Sequence, residues 1–213
     1  DPGHGHNYML EVTVAGEVDP RTGMVVNLFD LKVVLLQVLE EFDHKHLNLD
    51  LPYFKAQIPT SENIARVLWD KLDAQRDIGK LQRLSLYEDE DLCADLTAEA
   101  GLDVASVTRR YSFTAVHEGH RGHTWDVFVS VHGPIDRETG MVTDIVALDR
   151  LVHDRILLPF EGRDLRIALA TPSVTGEYLA KAVWDRIVAV VPAGRLQLVK
   201  VVQSRDLSYE YCG

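Results

Sequence analysis

The 213-residue chain has 46% apolar and 26% charged residues, a globular composition that excludes the disordered and fibrous classes. It carries 22 Lys and Arg against 33 Asp and Glu, a formal net charge of −11. That balance, with no basic run to neutralise phosphates, argues against a nucleic-acid partner. No apolar stretch approaches the roughly 18–20 residues of a membrane helix, so no membrane partner is expected either.

The opening residues, DPGHGHNYML, lack the basic-then-apolar layout of a signal peptide. The only cysteines, Cys93 and Cys212, make neither a disulfide framework nor a four-cysteine zinc site, and a cytoplasmic location is expected. Tyr8, Leu10, Val12 and Val14 alternate with Met9, Glu11, Thr13 and Ala15, which is strand period. Asp19-Pro20-Arg21-Thr22-Gly23 is turn chemistry and ends that strand. Asn27 is a candidate N-cap, followed by apolar residues at Leu28, Leu31, Leu35, Val38 and Phe42 with helical spacing. Pro59-Thr60-Ser61-Glu62 starts a second helix, with Ile64, Val67, Leu68 and Leu72 on one face. Two strands follow, around 80–88 and 91–96.

The sequence then repeats itself. At an offset of 117, His6 falls on His123, Tyr8 on Trp125, Gly16 on Gly133 and Asp19 on Asp136, and Thr22-Gly23-Met24-Val25 falls on Thr139-Gly140-Met141-Val142. At an offset of 115, Glu62 meets Glu177, Trp69 meets Trp184, Gly79 meets Gly194 and Asp91-Leu92 meets Asp206-Leu207. The chain is therefore read as a tandem duplication, with units over 1–100 and 107–213. Unit two is expected to place elements near 123–133, 143–157, 174–190, 195–203 and 206–212, preceded by an extra strand from Val107 to His117. The fold class is α+β, each unit an antiparallel four-stranded sheet with two helices on one face. Unit one has no room for the strand that leads unit two. The expectation is that the sequence starts inside the native protein, the alternative being a strand borrowed from a neighbour.

Four clusters carry chemistry. In an extended chain residues i and i+2 share a face, so the imidazoles of His4 and His6 converge with their bases about 6–7 Å apart. That suits two ligands of one tetrahedral zinc, with a third from elsewhere in the fold. In unit two, His117 closes the extra strand and His123 matches His6, a candidate degenerate second metal site. Arg121, however, stands where unit one has His4, and it cannot ligate; His120 substitutes only if the loop shifts. Asp43-His44 follows the first helix: a carboxylate that orients an imidazole makes a general acid/base, although the pair also fits a solvated helix end. Glu88 alternates with the inward Leu84 and Leu86; it fits either a bidentate acceptor for an aminopyrimidinone edge or a solvated strand end. Unit two has Glu161-Gly162 and Gln203 at these two places.

Taken together, GHGHNYMLEVTVAGEVDPRTGMVVNLFDLK, DHKHLN, PYF, PTSENIA and LYED, over residues 3 to about 92, closely resemble the 6-pyruvoyl-tetrahydropterin synthase and 6-carboxytetrahydropterin synthase superfamily. Residues 109–211 resemble it more loosely. The resemblance implies two tandem tunnelling-fold units, oligomers whose sheets form a barrel, and sites at unit interfaces. It implies zinc held by three histidines, two matching His4 and His6 and the third on the missing strand. It assigns Asp43 and His44 to proton transfer and Glu88 to anchoring the pterin, with Thr60 and Ser61 near its ring. The implied reaction is lysis of 7,8-dihydroneopterin triphosphate, with Zn2+ as cofactor and Mg2+ able to accompany the triphosphate. By analogy with hexamers of single units, the homo-oligomer expected is a trimer of tandem chains.

One departure is serious: the family's catalytic cysteine precedes the His-Gly-His triplet, and neither Cys93 nor Cys212 matches it. Two readings stand. Either unit one is catalytic and unit two is a silent structural half, or the chain is a non-catalytic binder of a pterin or purine-like ligand.

Overall fold

The computed structural model describes residues 5–75, 78–117 and 120–213, apart from the side chains of His120 and Arg121. His4 lies outside the described residues. The chain divides into two compact units, one formed by residues 1–105 with 134–141, the other by 106–133 with 142–213.

In unit one, strand β1 (Met9–Ala15) runs antiparallel to β2 (Lys80–Tyr87), which runs antiparallel to β3 (Leu92–Thr97). Along β1 the half-buried residues are Leu10, Val12 and Val14, three of the four singled out by alternation; the fourth, Tyr8, precedes β1 and is exposed. Helix α1 spans Leu28–Glu40, and the Asn27 side chain caps it by accepting from the Phe29 N–H at 3.0 Å. A four-residue helix, α2 (Leu47–Asp50), and a 3-10 turn (Pro52–Phe54) follow, neither of which the periodicity predicts. Helix α3 (Ser61–Asp73) lies against β2 and β3 and buries Ile64, Ala65, Leu68, Trp69 and Leu72. Val67, expected on this face, is only half-buried, and Trp69 takes the core position instead. Leu68, Leu72, Leu84, Leu86 and Leu96 are at most 2% exposed and form the centre of the unit.

Unit two contains β4 (Val104–His117), whose first two residues belong to unit one, then β5 (His120–Pro134), β6 (Arg195–Ser204) and β7 (Leu207–Tyr211), in that spatial order. Here β5 has a strand on each side, whereas its counterpart β1 pairs with β2 alone among the described residues. Trp125, Val127, Val129 and Val131 alternate inward at 0% exposure. The duplication extends to irregularities. The register shift between Thr13 and Val14 recurs between Ser130 and Val131, at the same offset of 117 as the sequence match.

The helix expected over 143–157 is interrupted. It begins as α4 (Ile145–Val152), capped by Asp144, continues as a π turn (His153–Leu157) and ends in α5 (Leu158–Phe160). The repeat explains the break. Asn27 corresponds to Asp144 at an offset of 117, but Phe42 corresponds to Phe160 at 118, so unit two holds one extra residue between these points. A π turn absorbs one inserted residue without rotating the rest of the helix off its packing face. After α6 (Leu165–Ala168), helix α7 (Gly176–Ile187), capped by Thr175, covers β6 and β7.

Candidate active site

Unit one contains an open cleft of about 1390 Å³, lined by His6 and Tyr8 before β1, by Asp43, His44 and Lys45 after α1, and by Glu88 at the end of β2. The cleft gathers residues distant in the chain. Glu88 follows the inward-facing Leu84 and Leu86. Its Oε2 accepts a 2.7 Å hydrogen bond from the Ser61 hydroxyl, and its Oε1 lies 3.4 Å from His6 Nε2. Glu88 is 24% exposed, enough for a ligand to reach the carboxylate and too little for full solvation. Ser61 is held at this depth because it opens α3.

Thr60, the other residue of the expected polar pair, makes bonds within the fold. Its Oγ1 caps α3 by accepting from the Asn63 N–H at 3.2 Å and donates its only proton to the Gly140 carbonyl at 2.6 Å. Only Ser61 of the pair meets Glu88. Tyr8 joins the group, with its ring 5.8 Å from that of His6. Burial, and then the charge of Glu88, push its phenol up to about 12, so it is a donor at neutral pH. The sequence marks Tyr8 only as a strand-alternation residue, so this role is invisible there.

Asp43 and His44 stand on the cleft's rim. Asp43 Oδ2 lies 2.9 Å from His44 Nδ1, with the side chains 70% and 92% exposed. A carboxylate there assigns the ring proton to Nδ1 and leaves Nε2 as the basic nitrogen. His44 has φ 53, a left-handed backbone rare for a residue with a Cβ, while its counterpart Gly162 has φ 68. The repeat therefore keeps the backbone shape and changes the side chain.

His6 is a competent metal donor whose imidazole opens on the cleft, but no group of three His, Cys, Asp or Glu suited to a metal occurs among the described residues. The described residues alone do not assemble a zinc site; His4 and a further ligand would be needed. Neither cysteine lines the cleft. Cys93 is buried in β3, its thiol pushed up to about 12 by burial and by Asp95, and Cys212 is exposed beyond β7.

In unit two the counterparts of Asp43 and Glu88 are taken up by bonds within the fold. Glu161 Oε2 accepts from the Thr114 N–H at 3.1 Å, and Gln203 Oε1 accepts from the Tyr209 hydroxyl at 3.2 Å. His117 is 7% exposed, and its Nε2 lies 2.7 Å from the Val174 carbonyl, which commits that nitrogen to donation. The His123 and His117 rings pack on Trp125 with centroids 4.7 and 5.1 Å away. His123 Nε2 is buried without a hydrogen-bond partner among the described residues.

Comparison with known proteins matches the family model described as 6-pyruvoyl tetrahydropterin synthase twice, over residues 2–99 and 96–213. The chain is 47% identical over 90 residues to the 6-pyruvoyl tetrahydrobiopterin synthase of Pongo abelii, covering 42% of this chain and 62% of that protein. It is 46% identical over 90 residues to the Homo sapiens protein of the same name, with the same coverage. It is 38% identical over 93 residues to a putative 6-carboxy-5,6,7,8-tetrahydropterin synthase of Archaeoglobus fulgidus, covering 44% of this chain and 74% of that one. The chain thus spans about 62% of the length of the first two curated relatives it matches. With one family match over each half, the chain belongs to the 6-pyruvoyl tetrahydropterin synthase family.

Proposed function

We propose that unit one is a lyase acting on 7,8-dihydroneopterin triphosphate, giving 6-pyruvoyl-tetrahydropterin or 6-carboxy-5,6,7,8-tetrahydropterin. The observation that carries this reading is one cleft holding both a heterocycle acceptor, Glu88 fixed by Ser61, and an oriented base, Asp43–His44. The Ser61 hydroxyl occupies one lone pair of Glu88 and turns the carboxylate edge toward the cleft, where it accepts two parallel N–H groups of the aminopyrimidinone. His44 Nε2 takes and returns protons at the substrate side chain, and Asp43 stabilises the imidazolium formed in between. Zinc held by His6 with His4, when bound, supplies polarisation of the substrate's side-chain oxygens. Mg2+ accompanying the triphosphate belongs to the same proposal.

For unit two we propose a structural role, since Glu161 and Gln203, its counterparts to Asp43 and Glu88, are bonded to the fold. The assembly proposed is a trimer of tandem chains in the cytosol; light scattering at micromolar concentration checks the count, and a monomer refutes it. No helix is long and apolar enough to cross a membrane among the described residues.

The test of function is incubation with 7,8-dihydroneopterin triphosphate and identification of the product by mass. A 6-pyruvoyl or 6-carboxy product supports the lyase and names the reaction. Saturable binding without turnover replaces it with the non-catalytic binder.

A further inference from the structure

The residues just before the Asp43–His44 pair are gripped by a cluster that the chemistry above does not use. Glu41 forms the C-terminal cap of α1. Its Oε1 accepts from the Tyr53 hydroxyl at 2.6 Å, and its Oε2 accepts from Lys71 Nζ at 2.5 Å. The same ammonium lies 4.7 Å from the centre of the Tyr53 ring. Phe42 stacks with that ring, with centroids 6.3 Å apart and planes 19° from parallel. Tyr53 in turn meets the buried Phe54 edge-on at 6.3 Å. Two separate segments, the 3-10 turn and α3, therefore converge on the two residues at the end of α1 that lead into Asp43 and His44.

The cluster stays charged at neutral pH. Hydrogen bonds from Lys71 and Tyr53 hold the Glu41 carboxyl below its usual range. Burial acts to lower Lys71, but its bonds to Glu41 and Tyr53 outweigh that and raise it.

Unit two is an internal control. Phe160 stands where Phe42 does and Arg186 where Lys71 does, and the Arg186 guanidinium carbon lies 4.4 Å from the Phe160 ring centre. The counterpart of Glu41 is Pro159, so no carboxylate joins the cation to the loop, and Arg186 instead donates to the Ala168 carbonyl at 3.3 Å. The next residues there are Glu161 and Gly162, and a glycine adopts a left-handed backbone unaided. The carboxylate clasp thus occurs in the unit whose loop must hold a histidine in that conformation, and is missing in the unit whose loop need not.

We propose that Glu41, Lys71 and Tyr53 are positioning residues that hold the Asp43–His44 loop, and with it the His44 imidazole, against the cleft. This rests on the reading of Asp43–His44 as the proton-transfer pair. The clasp acts through the backbone, so it bears on how often His44 is correctly placed and not on how the pterin binds.

The experiment uses the full chain. Backbone 15N relaxation is measured for the Asp43 and His44 amides alongside steady-state turnover of 7,8-dihydroneopterin triphosphate. In the parent protein these amides are expected to be as rigid as those of α3, with order parameters of about 0.85, falling below about 0.6 in Glu41→Ala while α3 is unchanged. The same variant should lose roughly tenfold in kcat with KM within about twofold, the pattern of a defect in the reacting geometry and not in binding. Glu41→Gln keeps the bond from Lys71 at its one carbonyl oxygen and meets the Tyr53 oxygen as a donor through its amide nitrogen, and it should recover to within about threefold of the parent. Should Glu41→Ala fail to fold, Tyr53→Phe keeps the ring stack, removes one bond, and decides the question by the same readouts. Unchanged order parameters at residues 43 and 44 overturn the clasp whatever the turnover. If the parent itself proves inactive, the reading of the pair falls while the order parameters still decide the clasp.

Discussion

The pterin-anchoring role proposed for Glu88 is tested most sharply by Glu88→Gln, which keeps the shape of the side chain and removes its charge. The carboxylate has two oxygens; Oε2 already accepts from Ser61 at 2.7 Å, and Oε1 lies 3.4 Å from His6 Nε2. In the variant, the amide nitrogen turns toward the Ser61 oxygen, which can accept, and only one carbonyl oxygen remains for the ligand. A bidentate, charge-assisted pair becomes a single neutral bond, with one pterin N–H left facing no acceptor. The general loss for such a change is about 1.5–3 kcal/mol. Because the side chain is 24% exposed and water screens part of the charge, the lower half of that range applies, about 1.5–2 kcal/mol. This corresponds to roughly 10- to 30-fold weaker binding. The assay is calorimetric titration with 7,8-dihydroneopterin, which lacks the phosphates and so isolates the ring, alongside thermal melts to check that the fold is kept. A dissociation constant within threefold of the parent would refute the anchoring argument.

His44→Gly removes the imidazole while retaining a residue suited to φ 53, as Gly162 shows in the repeat; turnover should fall at least a hundredfold, whereas Gln203→Ala should leave it within twofold. Loss of activity in both variants would mean that unit two has a working site. His6→Ala should lower bound zinc, measured by elemental analysis after dialysis, to well below one per chain, and unchanged stoichiometry would sink the ligand assignment. Burial pushes Cys93, Tyr8 and Tyr87 up to about 12, from ordinary values of 9.0 for the thiol and 10.0 for the phenols. The unfolded chain releases these protons first, so between about pH 9 and 12 the folded state binds more protons and stability falls as pH rises. Thermal midpoints should therefore be level up to about pH 8.5 and decline beyond pH 9.5; a flat profile to pH 11 would contradict this.

Much of the local structure was legible because it is periodic or short-ranged. Asn27 and Thr60 announce helix starts because a side-chain oxygen reaches an N–H two or three residues on, a bond that needs nothing beyond the next turn. Asp19 and Asp136 build the same turn, each accepting at its backbone carbonyl from the glycine four residues later, at 2.7 and 2.8 Å. The duplication was visible for the same reason, since each copy repeats its own local rules. The exceptions are instructive. The π turn at 153–157 leaves its trace only as a change of offset between the copies, from 117 to 118.

The site was legible as residue types and not as an arrangement. Sequence spacing named Glu88, His6, Asp43 and His44, and the family resemblance added Ser61, but Ser61 and Glu88 are 27 residues apart, and nothing local says that one donates to the other. Thr60 and Ser61 look equivalent in the chain, yet α3 turns one hydroxyl toward the Gly140 carbonyl and the other toward Glu88. Local chemistry and period determined where helices, turns and strands begin, because those depend on bonds within a few residues. Which carboxylate meets which hydroxyl was decided only by packing between segments 12 to 80 residues apart, whose geometry no short-range rule contains.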